Sequence, residues 1–325
     1  MQIAIDIISF PLSKPFAITG HVFTETNTLR VTLKQGGATG VGEAVGVYYL
    51  GETAQSMAAE IEAIGGQIGD ALSGEQIQSL LPPGGARNAL DCAFWDLRAK
   101  RAGKSVWELL TIVPKELTTV FTLGMEAPEV MARWAAEASR FPHLKIKLDA
   151  NQPMEKLEAV RAARPDAELI IDVNQGWNLE SLRDYLPHCA RLGIRMIEQP
   201  LPRDEDQGLE DFNSPVPLGA DESCLHSGEF KVAASRYDVL NIKLDKCGGL
   251  SEGLALVRAA QEARMGLMVG NMTGTSLSMA PSYVIGQYCG FVDIDGPLLL
   301  ANDVPHGLNY RDGGLVEPPS RALWG

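Results

Sequence analysis

A parallel α/β barrel joined to a smaller α+β unit is the fold class this sequence predicts, on three observations. From Leu117 onward, short apolar strands alternate with helical segments. Charged residues interrupt those strands at their C-terminal ends. The GxGxxG fingerprint of a doubly wound dinucleotide-binding sheet, the main alternative, is absent after the first strand.

Composition bounds the chemistry. The 325 residues are 45% hydrophobic and 21% charged, enough for one large domain with a smaller companion and too apolar for disorder. No run approaches the ~18 apolar residues that would span a membrane. With 41 acidic against 28 basic residues, the formal charge is −13, which disfavours a nucleic-acid partner. Cys92, Cys189, Cys224, Cys247 and Cys289 are scattered without a CxxC pair, so neither a disulfide scaffold nor a sulfur-ligated zinc site is expected. Met1–Asp6 reads as a strand and lacks the basic head and apolar run of a secretory signal. The expectation is a cytoplasmic protein that acts on a small molecule.

In chain order, Ile3–Phe10 and Thr28–Lys34 have the alternating, β-branched pattern of strands. Gly36-Gly37 marks a turn into a further extended piece that ends near Gly42-Glu43. Helical spacing predicts helices over Thr53–Ile68 and Ala86–Arg101. Strands then follow at Thr118–Leu123, Leu144–Leu148, Leu169–Val173, Met196–Glu198, Leu218–Ala220, Val239–Leu244 and Leu267–Val269. Helices at Pro128–Arg140, Pro153–Arg164, Leu179–Leu192 and Gly253–Ala263 lie between them. After Asp295 the periodicity fades into a Gly- and Pro-rich tail.

The strand ends carry the chemistry. Lys145 and Lys147, two residues apart in Leu-Lys-Ile-Lys-Leu, point to one face of their strand, as do Asp172 and Asn174. Glu198, Asp221 with Glu222, and Lys243 end later strands. In a barrel these residues converge at the C-terminal rim. Asp172, Glu198 and Asp221 follow one another at intervals of 26 and 23 residues, each long enough for one helix and one strand. Three oxygen donors on successive strands suit one Mg²⁺, with Mn²⁺ as a substitute. The five histidines show no zinc-ligand spacing.

Such a set fits removal of a proton alpha to a carboxylate. A divalent cation stabilises the second negative charge that develops, and a lysine in its field is expected to have a lowered pKa and to act as base. Lys147 and Lys243, several strands apart, would face each other across the barrel mouth, a geometry for inversion by two bases. Lys145 adds positive charge near the substrate carboxylate.

The segments KIK at Lys145–Lys147, DVN at Asp172–Asn174, EQP at Glu198–Pro200, DES at Asp221–Ser223 and NIK at Asn241–Lys243 resemble, in order and spacing, those of the enolase superfamily. The match is to its muconate-lactonizing subgroup and most to its dipeptide epimerases, with N-acylamino-acid racemases close behind. The resemblance runs over essentially the whole chain. It implies a capping domain over residues 1–113, a modified TIM barrel of (β/α)7β type over 114–300 and a tail, 301–325, that returns to the capping domain. It further implies Asp172, Glu198 and Asp221 as Mg²⁺ ligands, Lys147 and Lys243 as acid/bases and Lys145 as an electrostatic helper. Asn174 and Glu222 become supporting residues, and homo-oligomers are common in the family.

Asp293-Ile-Asp295 resembles the DxD segment that holds the free ammonium of a dipeptide, a contact N-acylamino acids cannot make. His21 and Tyr48, with Tyr49, lie in segments that correspond to the family's closing loops. Phe16–Glu25, the first of them, has no Arg or Lys where some relatives that prefer an acidic second residue use a cation, so the resemblance does not imply a preference for alanyl-glutamate. Asn271, Met272 and Thr273 follow the seventh expected strand and are further substrate-binding candidates.

Overall fold

The computed structural model describes residues 1–325. The first unit is an antiparallel sheet of β1 (Gln2–Ile18), β2 (His21–Gln35) and β3 (Ala38–Val45), covered by α1 (Ala54–Ala63), α2 (Gly74–Leu80) and α3 (Gly85–Ala102). Gly36 and Gly37 make the β2–β3 turn with φ of 59° and 78°, the left-handed pair a two-residue hairpin favours. Strand β1 runs well past its expected end at Phe10. Pro11 and Pro15 are tolerated because β1 is an edge strand, and its register shifts between Pro11 and Phe16. The helix expected over Thr53–Ile68 stops at Ala63, before Gly65 and Gly66.

After α4 (Val106–Leu110) and β4 (Leu117–Thr118) comes the eight-stranded parallel sheet. Its strands and helices are β5 (Phe121–Leu123), α5 (Pro128–Glu137), β6 (His143–Lys147), α6 (Pro153–Ala163), β7 (Glu168–Asp172), α7 (Leu179–Arg191), β8 (Ile194–Glu198), β9 (Leu218–Ala220), α8 (Phe230–Ala233), β10 (Val239–Ile242), α9 (Leu244–Cys247), α10 (Leu250–Ala263), β11 (Gly266–Val269), α11 (Ser276–Gly286) and β12 (Phe291–Val292). Neighbours pair in chain order from β5 to β12. The curled sheet meets itself where Val120 N donates to Val292 O at 2.8 Å. Val120, Ile170, Met196, Val239 and Met268 fill its interior, while a larger core of 54 buried residues lies between strands and helices. No helix is long and apolar enough to cross a membrane.

Among the barrel's elements, helix α11 and strand β12, like the short α8 and α9, were not legible as periodic segments. Every residue of α11 is buried, so it has no polar face to generate a helical pattern. After α12 (Gly296–Leu299), β13 (Leu315–Val316) pairs antiparallel with β4, and Trp324 Nε1 donates to Cys92 O of α3 at 3.0 Å.

The first unit is tied to the barrel by buried polar groups. Arg87 of α3 donates to Cys247 O at 2.6 Å and Gly248 O at 3.2 Å. Asp245 accepts from Val45 N at 2.9 Å and Asn88 Nδ2 at 3.0 Å, and Thr275 Oγ1 donates to Glu43 at 2.6 Å. These contacts fix β3 and α3 over one side of the barrel mouth.

Candidate active site

Strand order sets the site. Lys147 ends β6 and Lys243 follows the last residue of β10, four strands away in an eight-stranded sheet. The two lysines therefore stand half the circumference apart. Asp172 ends β7, Glu198 ends β8 and Asp221 follows β9, so the three carboxylates fill the arc between the lysines. Register pairs Lys147 with Asp172 and Asp172 with Glu198. Parallel pairing of apolar strands thus stacks these charges at one level of the rim.

All three carboxylates are fully buried, and ammonium groups meet their charge. Lys145 Nζ lies 3.1 Å from Asp172, 2.8 Å from Glu198 and 2.8 Å from Asp293. Lys147 Nζ donates to Asp172 Oδ2 at 2.6 Å and Asn174 Oδ1 at 3.1 Å. Lys243 Nζ donates to Asp221 Oδ2 at 2.6 Å, and Lys246 Nζ to Asp221 Oδ1 at 2.6 Å. Burial alone would lift both aspartates, but the lysines hold Asp172 and Asp221 below the ordinary carboxylate range.

The neighbouring acids set the protonation of the lysines. Burial favours the neutral amine, yet Asp221 and then Glu198 hold Lys243 above its ordinary value, and Asp293, Glu198 and Asp172 do the same for Lys145. The reason is direct contact: each ammonium sits on a carboxylate otherwise available to a cation. Burial, then Asp221 and Asp172, pushes Glu222 up to about 8.

The donor set suits a hard divalent cation, being three acceptor-only carboxylates without sulfur or imidazole. Glu198 Oε2 is buried without a hydrogen bond, since its 2.8 Å approach to Lys145 lacks hydrogen-bond alignment. With the lysines turned inward, no three acids converge into a finished cage. The residues fit the cation; their present contacts are those of a self-neutralised cluster.

Above the cluster is a cavity of about 390 Å³, with Lys147, Lys243, Asn174 and Glu222 on its barrel side. His21 and Tyr48 line the opposite wall, and Asn271, Met272 and Thr273 line the cavity too. Asn271 Nδ2 donates to Asp293 Oδ1 at 2.9 Å, and Thr273 N to Asn271 Oδ1 at 2.7 Å. Asp293 and Asp295 are not on the cavity wall. Asp293 is engaged with Lys145, and Asp295 accepts from Thr122 N at 2.6 Å.

Sequence reading gave no role to three residues here. Asn241 Nδ2 donates to Glu198 Oε1 at 2.7 Å, a position marked in the sequence only as the first residue of the NIK segment. Gln199 Oε1 accepts from Asp221 N at 2.9 Å and Ser223 N at 3.0 Å, bracing the next strand end. Lys246, three residues after Lys243 on the short α9, had no strand context to mark it.

Residues 3–111 match the family model "Mandelate racemase / muconate lactonizing enzyme, N-terminal domain", and residues 129–320 match "Enolase C-terminal domain-like". The chain is 39% identical over 313 residues to an L-Ala-D/L-Glu epimerase of Escherichia coli (strain K12), covering 94% of this chain and 97% of that protein. It is 38% identical over 250 residues to an N-acetyl-D-glutamate racemase of Pseudoalteromonas sp, covering 77% and 79%. Among solved structures, an enolase family member from Agrobacterium tumefaciens with homology to dipeptide epimerases superposes with a TM-score of 0.96 at 40% identity, covering 99% of each chain; it holds sodium and L-Ala-L-Glu.

Proposed function

The chain belongs to the mandelate racemase / muconate lactonizing enzyme family of the enolase superfamily, and from that premise we propose that it is an isomerase that epimerises dipeptides at the carbon alpha to the carboxylate. The observation that carries this reading is the pair of lysines half a barrel apart on the cavity floor, bracketing three buried carboxylates.

Asp172, Glu198 and Asp221 would hold Mg²⁺. When bound, that cation supplies the positive charge that anchors the substrate carboxylate and offsets the charge developing on it. Lys147 and Lys243 approach the α-carbon from opposite sides. Each removes the proton from one configuration and returns a proton to the other, so inversion needs both. Lys145 keeps a fixed positive charge beside the carboxylates, and Asn174 orients Lys147 through its 3.1 Å contact. The cap residues over the mouth exclude water from the planar anion. Five free cysteines accord with a cytoplasmic enzyme.

N-acylamino-acid racemisation by the same residues is the second reading. One observation favours it: Asp293 and Asp295, the candidates for a dipeptide ammonium, are buried and engaged elsewhere.

The test is α-proton exchange and inversion in deuterated water with Mg²⁺, run on L,L-dipeptides beside N-acyl amino acids. Dipeptide turnover that exceeds N-acyl turnover is expected. With excess Mg²⁺, Lys147→Ala and Lys243→Ala should each abolish inversion while leaving the fold largely intact. Normal inversion by either variant would refute the two-base assignment.

A further inference from the structure

The wall facing the two lysines combines aromatic rings with neutral polar groups such as Asn27 and Gln55 and with acids. His21 and Phe23 pack with ring centroids 4.1 Å apart, Phe23 and Tyr48 at 5.3 Å, and Tyr48 and Tyr49 at 5.2 Å. These rings form a continuous aromatic surface along the cavity. No arginine lines it, and its only lysines, Lys147 and Lys243, stand on the barrel side, where the function proposed above commits them to the reacting carbon. Three carboxylates, Glu25, Glu52 and Glu222, are on the lining as well. Glu52 is fixed there, accepting from Val47 N at 2.9 Å and Gly85 N at 3.2 Å.

An acidic side chain directed at this wall gives up its hydration, meets no lysine or arginine there and stands beside Glu25 and Glu52. Burial of such an unpaired charge is strongly unfavourable. A flat or branched apolar side chain instead covers the rings and gains offset or edge-on contact.

Resting on the function proposed above, we infer that the residue inverted carries an uncharged apolar side chain, aromatic above all, and that glutamate is discriminated against. In this the chain departs from the Escherichia coli relative named for L-Ala-D/L-Glu, despite 39% identity. The discrimination is achieved partly by what the wall lacks, since a missing countercharge rejects the wrong substrate.

The experiment measures kcat/KM for L-Ala-L-Phe, L-Ala-L-Leu, L-Ala-L-Lys and L-Ala-L-Glu by α-proton exchange, using the full chain with Mg²⁺. L-Ala-L-Phe should exceed L-Ala-L-Glu by roughly tenfold or more, the scale of pocket discrimination by one side chain. Phe23→Arg, which puts a guanidinium on the wall, should narrow or invert that ratio. Phe23→Ala should lower it by about tenfold through lost ring contact. A preference for L-Ala-L-Glu or L-Ala-L-Lys in the unaltered chain, or a ratio that neither variant moves, overturns this inference and leaves dipeptide epimerisation standing. Exchange with N-acyl amino acids but no dipeptide overturns both.

Discussion

Gly270→Ala isolates one lysine of the proposed pair without touching it. Gly270 follows β11, and its φ lies outside the left-handed region, so alanine adds no backbone strain. The added methyl carbon would lie 2.6 Å from Asn241 Oδ1, 2.8 Å from Asn241 Nδ2 and 2.9 Å from Lys243 Cε. Lys243 must retreat by about half an ångström to reach ordinary carbon–carbon contact. Both neighbours are buried, at 1% and 5% exposure, so the shift is carried into the site. Overpacking of this kind costs about 1–3 kcal/mol of stability. Misplacing a reacting group by a fraction of an ångström slows inversion by roughly 10- to 100-fold.

The two lysines should respond unequally. Lys147, four strands away, keeps its contacts, so the configuration whose proton it removes should still exchange with solvent although inversion is slowed. The other configuration should lose both. Mass spectrometry of L,L and inverted substrates in deuterated water, with denaturant unfolding beside it, reads all three quantities. Equal loss of exchange from both configurations, or unaltered inversion, would refute the geometric argument.

Three further outcomes are expected. Burial pushes the Asp91 carboxyl up from 3.8 to about 6 despite hydrogen bonds from Ser251, so the folded state holds this proton more tightly than the unfolded chain. Its contribution to stability is full below pH 3.8 and is lost as pH rises through about 6, by on the order of 3 kcal/mol, and Asp91→Asn should flatten that part of a urea-stability profile. Lys246→Met should cost about 3–5 kcal/mol in denaturant unfolding, because it strips the ammonium that Asp221 Oδ1 holds at 2.6 Å and leaves a buried charge less compensated. Gly42→Ala should cost at least about 3 kcal/mol, since its methyl would meet Ala89 O at 2.2 Å and Ala93 N at 2.5 Å, backbone atoms that cannot turn away. A thermal melt equal to that of the parent chain would contradict it.

Much of the molecule was readable because charge in an apolar strand is expensive and therefore informative. Lys145, Lys147, Asp172, Glu198, Asp221 and Lys243 stand out against Leu, Ile and Val neighbours, and strand order then brings them to one rim. Segments without such contrast were lost. Helix α11, buried on every side, carries no amphipathic stripe, and β12 is two residues long. Edge strand β1 hides behind Pro11 and Pro15. Polar residues that serve another side chain, such as Gln199 toward Asp221 N, have no periodic signature, since their meaning depends on a partner 22 residues away. The inward pairing of lysines with acids was invisible for the same reason.

The polar seam between the first unit and the barrel has a consequence for how this molecule could be rebuilt. Asp245, Cys247 and Gly248, which receive Val45, Asn88 and Arg87, lie two to five residues beyond Lys243 on the same short stretch of chain. The roof over the substrate and one of the groups that would move protons are thus bolted to a single girder. Transplanting a foreign roof to change selectivity would tilt that girder unless Arg87, Asn88 and the Val45 amide came with it at their present spacing.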